Sequence, residues 1–313
     1  MKEIHRVLLI GRGMIGCVFG TAIYNGLGPD DRFQVLVDAE RAERYRQQPL
    51  YFNHKRYDFD YVTPENPSGE PADLILIATK QTGLAAALDM MARYVGPDTL
   101  ILPLLNGILS EGMVAKRYGW ERTLYAFVYG NGLLTDEGYI CPRAGRLLFG
   151  EADNTVPSER VERILAFCRR VGVHAEAPAD MRKAQWNKFI LNVGINQSAG
   201  VLRAHFGDFQ HSQKCMDLCV GLMEEAAQVA RAQGIDTTGM IEAAVDNVRR
   251  SAPEGCPSLL MDIEAGRPTE VEIFSGTIRK LAAEQGIPTP YNDLAYTVIT
   301  AVDEYHLARR SAQ

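Results

Sequence analysis

The chain has 313 residues, of which 46% are hydrophobic and 23% are charged. This balance is typical of a globular protein and excludes a mainly disordered chain. Lys and Arg number 33 against 39 Asp and Glu, a net charge of −6, so the chain lacks the basic composition of a general nucleic-acid binder. Its length predicts two domains.

Neither a membrane span nor a secretory signal is expected. No apolar run reaches the roughly 18 residues that a membrane helix needs, and the first apolar run is too short for a signal peptide. The cysteines form no C-x-x-C pair; they are Cys17, Cys141, Cys168, Cys215, Cys219 and Cys256. We expect reduced thiols, no metal site and a cytoplasmic location.

Apolar runs alternate with helical stretches in the first half of the chain. The predicted strands are 6–11, 33–38, 73–78 and 99–103, and the predicted helices are 14–26, 40–48 and 84–94. This alternation predicts a doubly wound parallel sheet. Short glycine-punctuated pieces over 123–150 predict an antiparallel extension of that sheet, followed by a helix over 157–170 and a strand over 171–176.

The second half is helical in pattern. The predicted helices are 180–201, with Asp180 as N-cap, 214–233, ending at Gly234, 237–251, 269–285 and 291–309. We therefore predict a Rossmann-like α/β domain over residues 1–177 and an all-α domain over residues 178–313.

Residues 11–16 read Gly-Arg-Gly-Met-Ile-Gly and fit the G-x-G-x-x-G pattern between a predicted strand and helix. The first glycine permits a tight turn, the second lets a pyrophosphate approach the backbone, and the third lets helix and strand pack closely. The helix start offers free N–H groups to phosphates. The residues predicted to bind the dinucleotide here are Gly11, Gly13, Met14, Ile15 and Gly16. The structural alternative is a glycine-rich turn without a ligand.

Asp38 ends the second predicted strand. A carboxylate at this place accepts hydrogen bonds from the ribose hydroxyls and repels a 2′-phosphate, so it favours NAD(H) over NADP(H). An ordinary strand-end Asp is the alternative, and Arg41, Arg44 and Arg46 could instead hold a 2′-phosphate.

Lys188, Asn192 and Asn196 are spaced i, i+4, i+8 and share one face of a predicted helix whose other residues are largely apolar. A polar stripe on an apolar helix suits a substrate site. A solvated lysine and two amides bonded to nearby backbone are the alternative.

The chain resembles the ketopantoate reductase family over nearly its whole length. The motifs that carry this resemblance are the glycine pattern, Thr79-Lys80 and Asn106-Gly107 after successive strands, Trp186-x-Lys188 with the two Asn, Ser258 followed twelve residues later by Glu270, and Gly-Ile-Pro-Thr-Pro-Tyr-Asn at 286–292. Each motif alone also has an ordinary structural explanation. Ser258 could be a helix N-cap, Glu270 could make a favourable contact with a helix dipole, and Asn106 could lie in a turn.

The resemblance implies reduction of ketopantoate to D-pantoate, a step toward pantothenate and coenzyme A. It implies that Lys188 is the general acid and that Glu270 holds Lys188 or the substrate. It further implies that Asn192 and Asn196 bind the hydroxyl end of the substrate. Ser258 and Asn106 would help fix the carboxylate and carbonyl of the substrate, and Lys80 and Asn106 would lie beside the cofactor. A small 2-keto acid is the expected partner, in a cleft between the domains.

The resemblance also implies NADP(H), since family members that use it usually carry an Arg just past the second strand. Here Asp38-Ala39-Glu40 occupies that stretch, which leaves the choice between NADP(H) and NAD(H) open. Two further alternatives are a reductase of another 2-keto acid and a nucleotide-sensing protein without catalysis; the latter predicts loss of Lys188 or Glu270, and both are present. The long C-terminal helices could pair in a homodimer or complete one monomer.

Overall fold

The computed structural model describes residues 2–65, 70–130 and 132–311. The chain divides into two compact units, one ending at Arg182 and the other beginning at Lys183. The strands, all in the first unit, are β1 (Arg6–Ile10), β2 (Arg32–Leu36), β3 (Leu50–Phe52), β4 (Lys55–Tyr57), β5 (Asp60–Val62), β6 (Leu74–Ile77), β7 (Leu100–Pro103), β8 (Tyr125–Tyr129), β9 (Leu133–Thr135), β10 (Gly138–Ile140), β11 (Arg146–Gly150) and β12 (His174–Glu176).

A parallel sheet in the order β5-β2-β1-β6-β7 forms the centre of the first unit. Alternate residues of β1 enter two different apolar cores: Val7 and Leu9 face one side, and Leu8 and Ile10 face the other. The helices of this unit are α1 (Met14–Asn25), α2 (Ala39–Gln47), α3 (Leu84–Met90), α4 (Ser110–Tyr118) and α5 (Glu159–Val171). Buried residues of α1, α2 and α5 belong to the first core, and those of α3 and α4 to the second. The predicted doubly wound sheet is confirmed.

The antiparallel extension is also confirmed. β8 begins beside β7 through the parallel bridge between Ile101 and Thr123, and β11 then pairs antiparallel with β8. In this unit, helix α4, strand β5 and the separate sheet β4-β3-β10-β9 were not predicted, and in the second unit the short helices Phe206–His211 and Ser258–Glu264 were not predicted either. The strands of that sheet have three residues each, too few for an alternating pattern to stand out.

The second unit is helical. Its helices are α6 (Met181–Leu202, whose first two residues belong to the first unit), α7 (Phe206–His211), α8 (Gln213–Ala232), α9 (Met240–Arg250), α10 (Ser258–Glu264), α11 (Ser275–Ala283) and α12 (Pro290–Ser311). In α6, Gly194 faces Met223 and Cys219 of α8, and Gly200 faces Leu259 of α10. These two glycines let α8 and α10 approach α6 closely.

Two predicted helices differ in the structure. The helix predicted over 237–251 begins only at Met240, because Gly239 has a φ of 75° and ends a turn. The helix predicted over 269–285 is broken into a 3₁₀ turn, Val271–Ile273, and α11. The break lies at Phe274, and the following amide, that of Ser275, donates to Oε1 of Gln197 at 3.0 Å instead of to its own helix.

Candidate active site

The glycine turn after β1 has the shape that a dinucleotide requires. Gly11 has a φ of 101°, and a Cβ there would lie 2.5 Å from the carbonyl oxygen of Ala78. At Gly13, the N-cap of α1, a Cβ would meet no atom within 4 Å. The space beside the start of α1 is therefore open and no side chain caps the helix, as phosphate binding needs.

The end of the neighbouring strand β6 gives a second indication that a ligand binds here. The hydroxyl Oγ1 of Thr79, which follows β6, is buried and has no hydrogen-bond partner among the described residues. The backbone nitrogen of the same residue borders Gly11. A buried hydroxyl without a partner costs about 1–3 kcal/mol, so a bound polar group here would remove a penalty. The turn and its surroundings fit a dinucleotide.

Three other predicted residues follow parallel strands, so they lie at the same carboxyl edge of the sheet as Gly11. Asp38 follows β2, Lys80 follows β6 and Asn106 follows β7. Asp38 already has two partners: Oδ1 accepts from the backbone nitrogen of Arg41 at 2.7 Å, and Oδ2 from its guanidinium at 2.6 Å. Asp38 is thus the N-cap of α2 as well as a candidate ribose ligand.

Lys188 and Glu270 come together within the second unit. Lys188 is half-buried on α6, and Glu270 precedes the 3₁₀ turn before α11. Burial lowers the pKa of Lys188 from 10.5 to about 8, and the Glu270 carboxylate opposes that shift. An ammonium with a pKa near neutrality can give up its proton at physiological pH, as a general acid must.

Asn192 and Asn196 of α6 and Ser258 of α10 form a connected polar chain. Oδ1 of Asn196 accepts from Oγ of Ser258 at 3.2 Å and from the backbone nitrogen of Leu259 at 3.1 Å. Its Nδ2 makes a long contact of 3.5 Å to Oδ1 of Asn192. Ser258 is therefore not the N-cap of α10; Asn196 provides that cap from another helix.

A buried network that the sequence did not reveal supports α6 from its other side. Gln197 donates to Oδ1 of Asn292 at 3.2 Å and accepts from the hydroxyl of Ser275. The buried carboxylate of Glu225 accepts from the backbone nitrogens of Tyr291 and Asn292 at 2.8 and 2.9 Å. The C-terminal motif around Asn292 thus anchors α12 to α8 and α6 and is not part of the polar chain.

Two family models together match most of the chain. Residues 7–154 match the model described as ketopantoate reductase PanE/ApbA, and residues 180–303 match its C-terminal counterpart. The chain belongs to the ketopantoate reductase family. As a ketopantoate reductase family member, it is an NAD(P)-dependent oxidoreductase of keto acids, and the predicted resemblance is confirmed.

Relatives of the family match nearly the full chain. A 2-dehydropantoate 2-reductase from Archaeoglobus fulgidus is 25% identical over 96% of this chain and 99% of its own. A structure of D-mandelate dehydrogenase with NADH and anilino(oxo)acetate is 19% identical, with a TM-score of 0.84 over 96% of this chain and 99% of that one. A dimeric ketopantoate reductase from Staphylococcus aureus is 22% identical, with a TM-score of 0.78 over the same shares.

The described residues contain neither a membrane-spanning helix nor a metal-binding cluster. Within residues 2–65, 70–130 and 132–311, no helix combines the length and apolarity that crossing a bilayer requires. The same residues contain no group of three or more His, Cys, Asp or Glu arranged to hold a metal. The six cysteines, all of which lie in the described ranges, form no disulfide.

Proposed function

We propose that the protein reduces 2-dehydropantoate to D-pantoate. The observation that carries the proposal is the Lys188–Glu270 pair, in which burial brings the pKa of an ammonium to about 8 beside a carboxylate. The family models and the Archaeoglobus fulgidus relative, a 2-dehydropantoate 2-reductase, support the choice of substrate.

In this proposal, residues of the first unit hold the dinucleotide. The pyrophosphate would lie on the amides of the turn formed by Gly11, Gly13, Met14, Ile15 and Gly16, with Lys80 and Asn106 nearby. When bound, the reduced nicotinamide supplies the hydride. Asp38 would meet the adenosine ribose, and its existing bonds to Arg41 partly neutralise the charge that would repel a 2′-phosphate. Both NADH and NADPH are therefore to be tested.

Residues of the second unit would carry the proton chemistry. Hydride addition to the keto carbon leaves an alkoxide, which the Lys188 ammonium stabilises and then protonates. Glu270 keeps that lysine protonated. Asn192 and Asn196 would hold the hydroxyl end of the substrate, and Ser258, together with Asn106, its carboxylate and carbonyl. These neutral groups add hydrogen bonds without adding charge to the site.

A second candidate substrate is a 2-keto acid with an aromatic side chain. The likeness in fold to D-mandelate dehydrogenase, with a TM-score of 0.84, favours it as the alternative, since oxidation of mandelate gives phenylglyoxylate.

The first experiment follows nicotinamide absorbance with 2-dehydropantoate and either NADPH or NADH, with phenylglyoxylate in parallel. Oxidation of cofactor by 2-dehydropantoate at the higher kcat/KM supports the proposal and ranks the cofactors. Faster turnover of phenylglyoxylate would make phenylglyoxylate the proposed substrate, and cofactor binding without turnover of either compound would point to a different 2-keto acid. Sedimentation of the same sample tests the homodimer that we propose from the dimeric Staphylococcus aureus relative.

A further inference from the structure

Glu270 lies outside any regular helix, so something else must fix its position. Its backbone has φ −103° and ψ 31°, which differs from the conformation of an α-helix. Contacts of the residues on either side of it hold it in place. Oγ1 of Thr269 accepts from the backbone nitrogen of Val271 at 3.4 Å, which closes a small turn around Glu270.

The turn is anchored to α12 by one carboxylate. Asp303 accepts from the backbone nitrogen of Thr269 at 3.1 Å through Oδ1 and at 3.2 Å through Oδ2. Its Oδ2 also accepts from Oγ1 of Thr269 at 2.6 Å. A second contact joins the same segment to α12, where the hydroxyl of Tyr296 donates to Oε1 of Glu272 at 2.5 Å. Charge-assisted bonds of this kind are about twice as strong as neutral ones.

We propose that Asp303 is a positioning residue for the reaction: through Thr269 it holds Glu270 in the place from which it acts on Lys188. The inference rests on the proposed roles of Lys188 and Glu270. Asp303 itself touches neither substrate nor cofactor in this proposal. Its effect passes through one hydrogen-bonded neighbour to the catalytic pair.

The charge that acts on Lys188 determines what a displaced Glu270 should do. Two other cations of this unit have carboxylate partners of their own, Lys183 with Asp236 at 2.6 Å and Arg267 with Asp262 at 2.8 Å. Glu270 is the carboxylate that raises the pKa of Lys188. Displacing Glu270 should therefore lower that pKa further, whereas loosening the unit and admitting water should raise it toward 10.5.

The test compares Asp303→Asn and Thr269→Val with Glu304→Gln, a change at the next, exposed position of α12. Competitive acetylation of the intact protein over a pH series, read by mass spectrometry, gives the pKa of Lys188 without any substrate. We expect both variants to lower that pKa, as Glu270→Gln does, and Thr269→Ser and Glu304→Gln to leave it in place. In turnover of whichever 2-keto acid the wild type reduces, kcat should fall about 10- to 100-fold, with cofactor affinity unchanged.

Two results would overturn the inference: an unchanged Lys188 pKa and kcat in Asp303→Asn, or a pKa that rises toward 10.5, which would mean a general loosening of the unit. Combining Asp303→Asn with Thr269→Val adds a further check, because the two losses should not add if both act through one contact. A wild type inactive on 2-dehydropantoate would overturn the proposed substrate alone, since the acetylation readout does not depend on it.

Discussion

The pKa of Lys188 is set by two opposing effects. Burial disfavours the charged ammonium and the Glu270 carboxylate favours it, and the balance lies at about 8. At neutral pH the lysine is therefore mostly protonated, yet it gives up its proton far more readily than a surface lysine. A lysine without the carboxylate would be deprotonated at a lower pH, and one without burial would be a weaker acid.

The rate of keto-acid reduction should follow this protonation. Because the proposed mechanism makes the ammonium the active form, kcat should be high below pH 8 and fall as the pH rises through about 8. Glu270→Gln should move that fall to lower pH, and Lys188→Ala should lower kcat by about 10²- to 10⁴-fold. Stopped-flow measurement of cofactor oxidation across pH checks both, with the exposed neighbour Asn187→Ala as control. A rate independent of pH through this range would rule out Lys188 as the acid.

At the scale of elements, α6 combines a polar face with close helix packing. Lys188, Asn192 and Asn196 span about 12 Å along one face, while Gly194 lies between them in sequence and faces α8. A Cβ at Gly194 would lie 2.9 Å from the carbonyl oxygen of Cys219 and would collide with Met223. The close approach of α8 therefore depends on the missing side chain at position 194.

Replacing this glycine should show how much of the stability change comes from helix packing and how much from intrinsic helix propensity. Gly194→Ala should lower the free energy of unfolding by about 1–3 kcal/mol, because α8 has to move. The matched control is Gly112→Ala in α4, where a Cβ meets nothing within 4 Å; there we expect a gain of about 0.5–1 kcal/mol. Urea denaturation of both variants gives the two values, and equal effects would show that close packing does not decide the first.

At the scale of the whole molecule, the glycine turn and the acid–base pair belong to different compact units. The turn lies before Arg182, and both Lys188 and Glu270 lie after Lys183. Cofactor affinity and proton transfer should therefore respond to different substitutions. Gly13 is the best place to test this, since its backbone, φ −81° and ψ −172°, is open to any residue.

Gly13→Val should lower the melting temperature of the cofactor-free protein only modestly, because a Cβ at this position meets no atom but valine is a poorer N-cap than glycine. It should weaken NADH and NADPH binding by about tenfold or more, since the side chain would occupy the space that the pyrophosphate needs. Lys188→Ala should show the reverse pattern, with normal binding and lost turnover. Calorimetric titration of both variants with each dinucleotide measures this. Normal affinity in Gly13→Val would place the cofactor elsewhere.

Local signals made the first unit predictable, and distant partners made parts of the second unpredictable. The glycine turn could be predicted because strand, turn and helix follow one another within a few residues. The pairing of Lys188 with Glu270 followed only from the family resemblance, since no local pattern joins positions so far apart. The helix break at Phe274 depends on Gln197, and the contact made by Asp303 depends on Thr269. No local pattern around Phe274 or Asp303 indicates these distant partners.

The position of Asn196 has a consequence for how this family member can change over evolutionary time. Its single amide oxygen holds the start of α10, so a substitution there would disturb folding together with any contact to substrate, and selection would act on both losses at once. Asn192 is half-buried, and its Oδ1 contacts Asn196 of the same helix rather than the start of another helix. Drift toward new keto acids would therefore begin at position 192 well before it reached position 196.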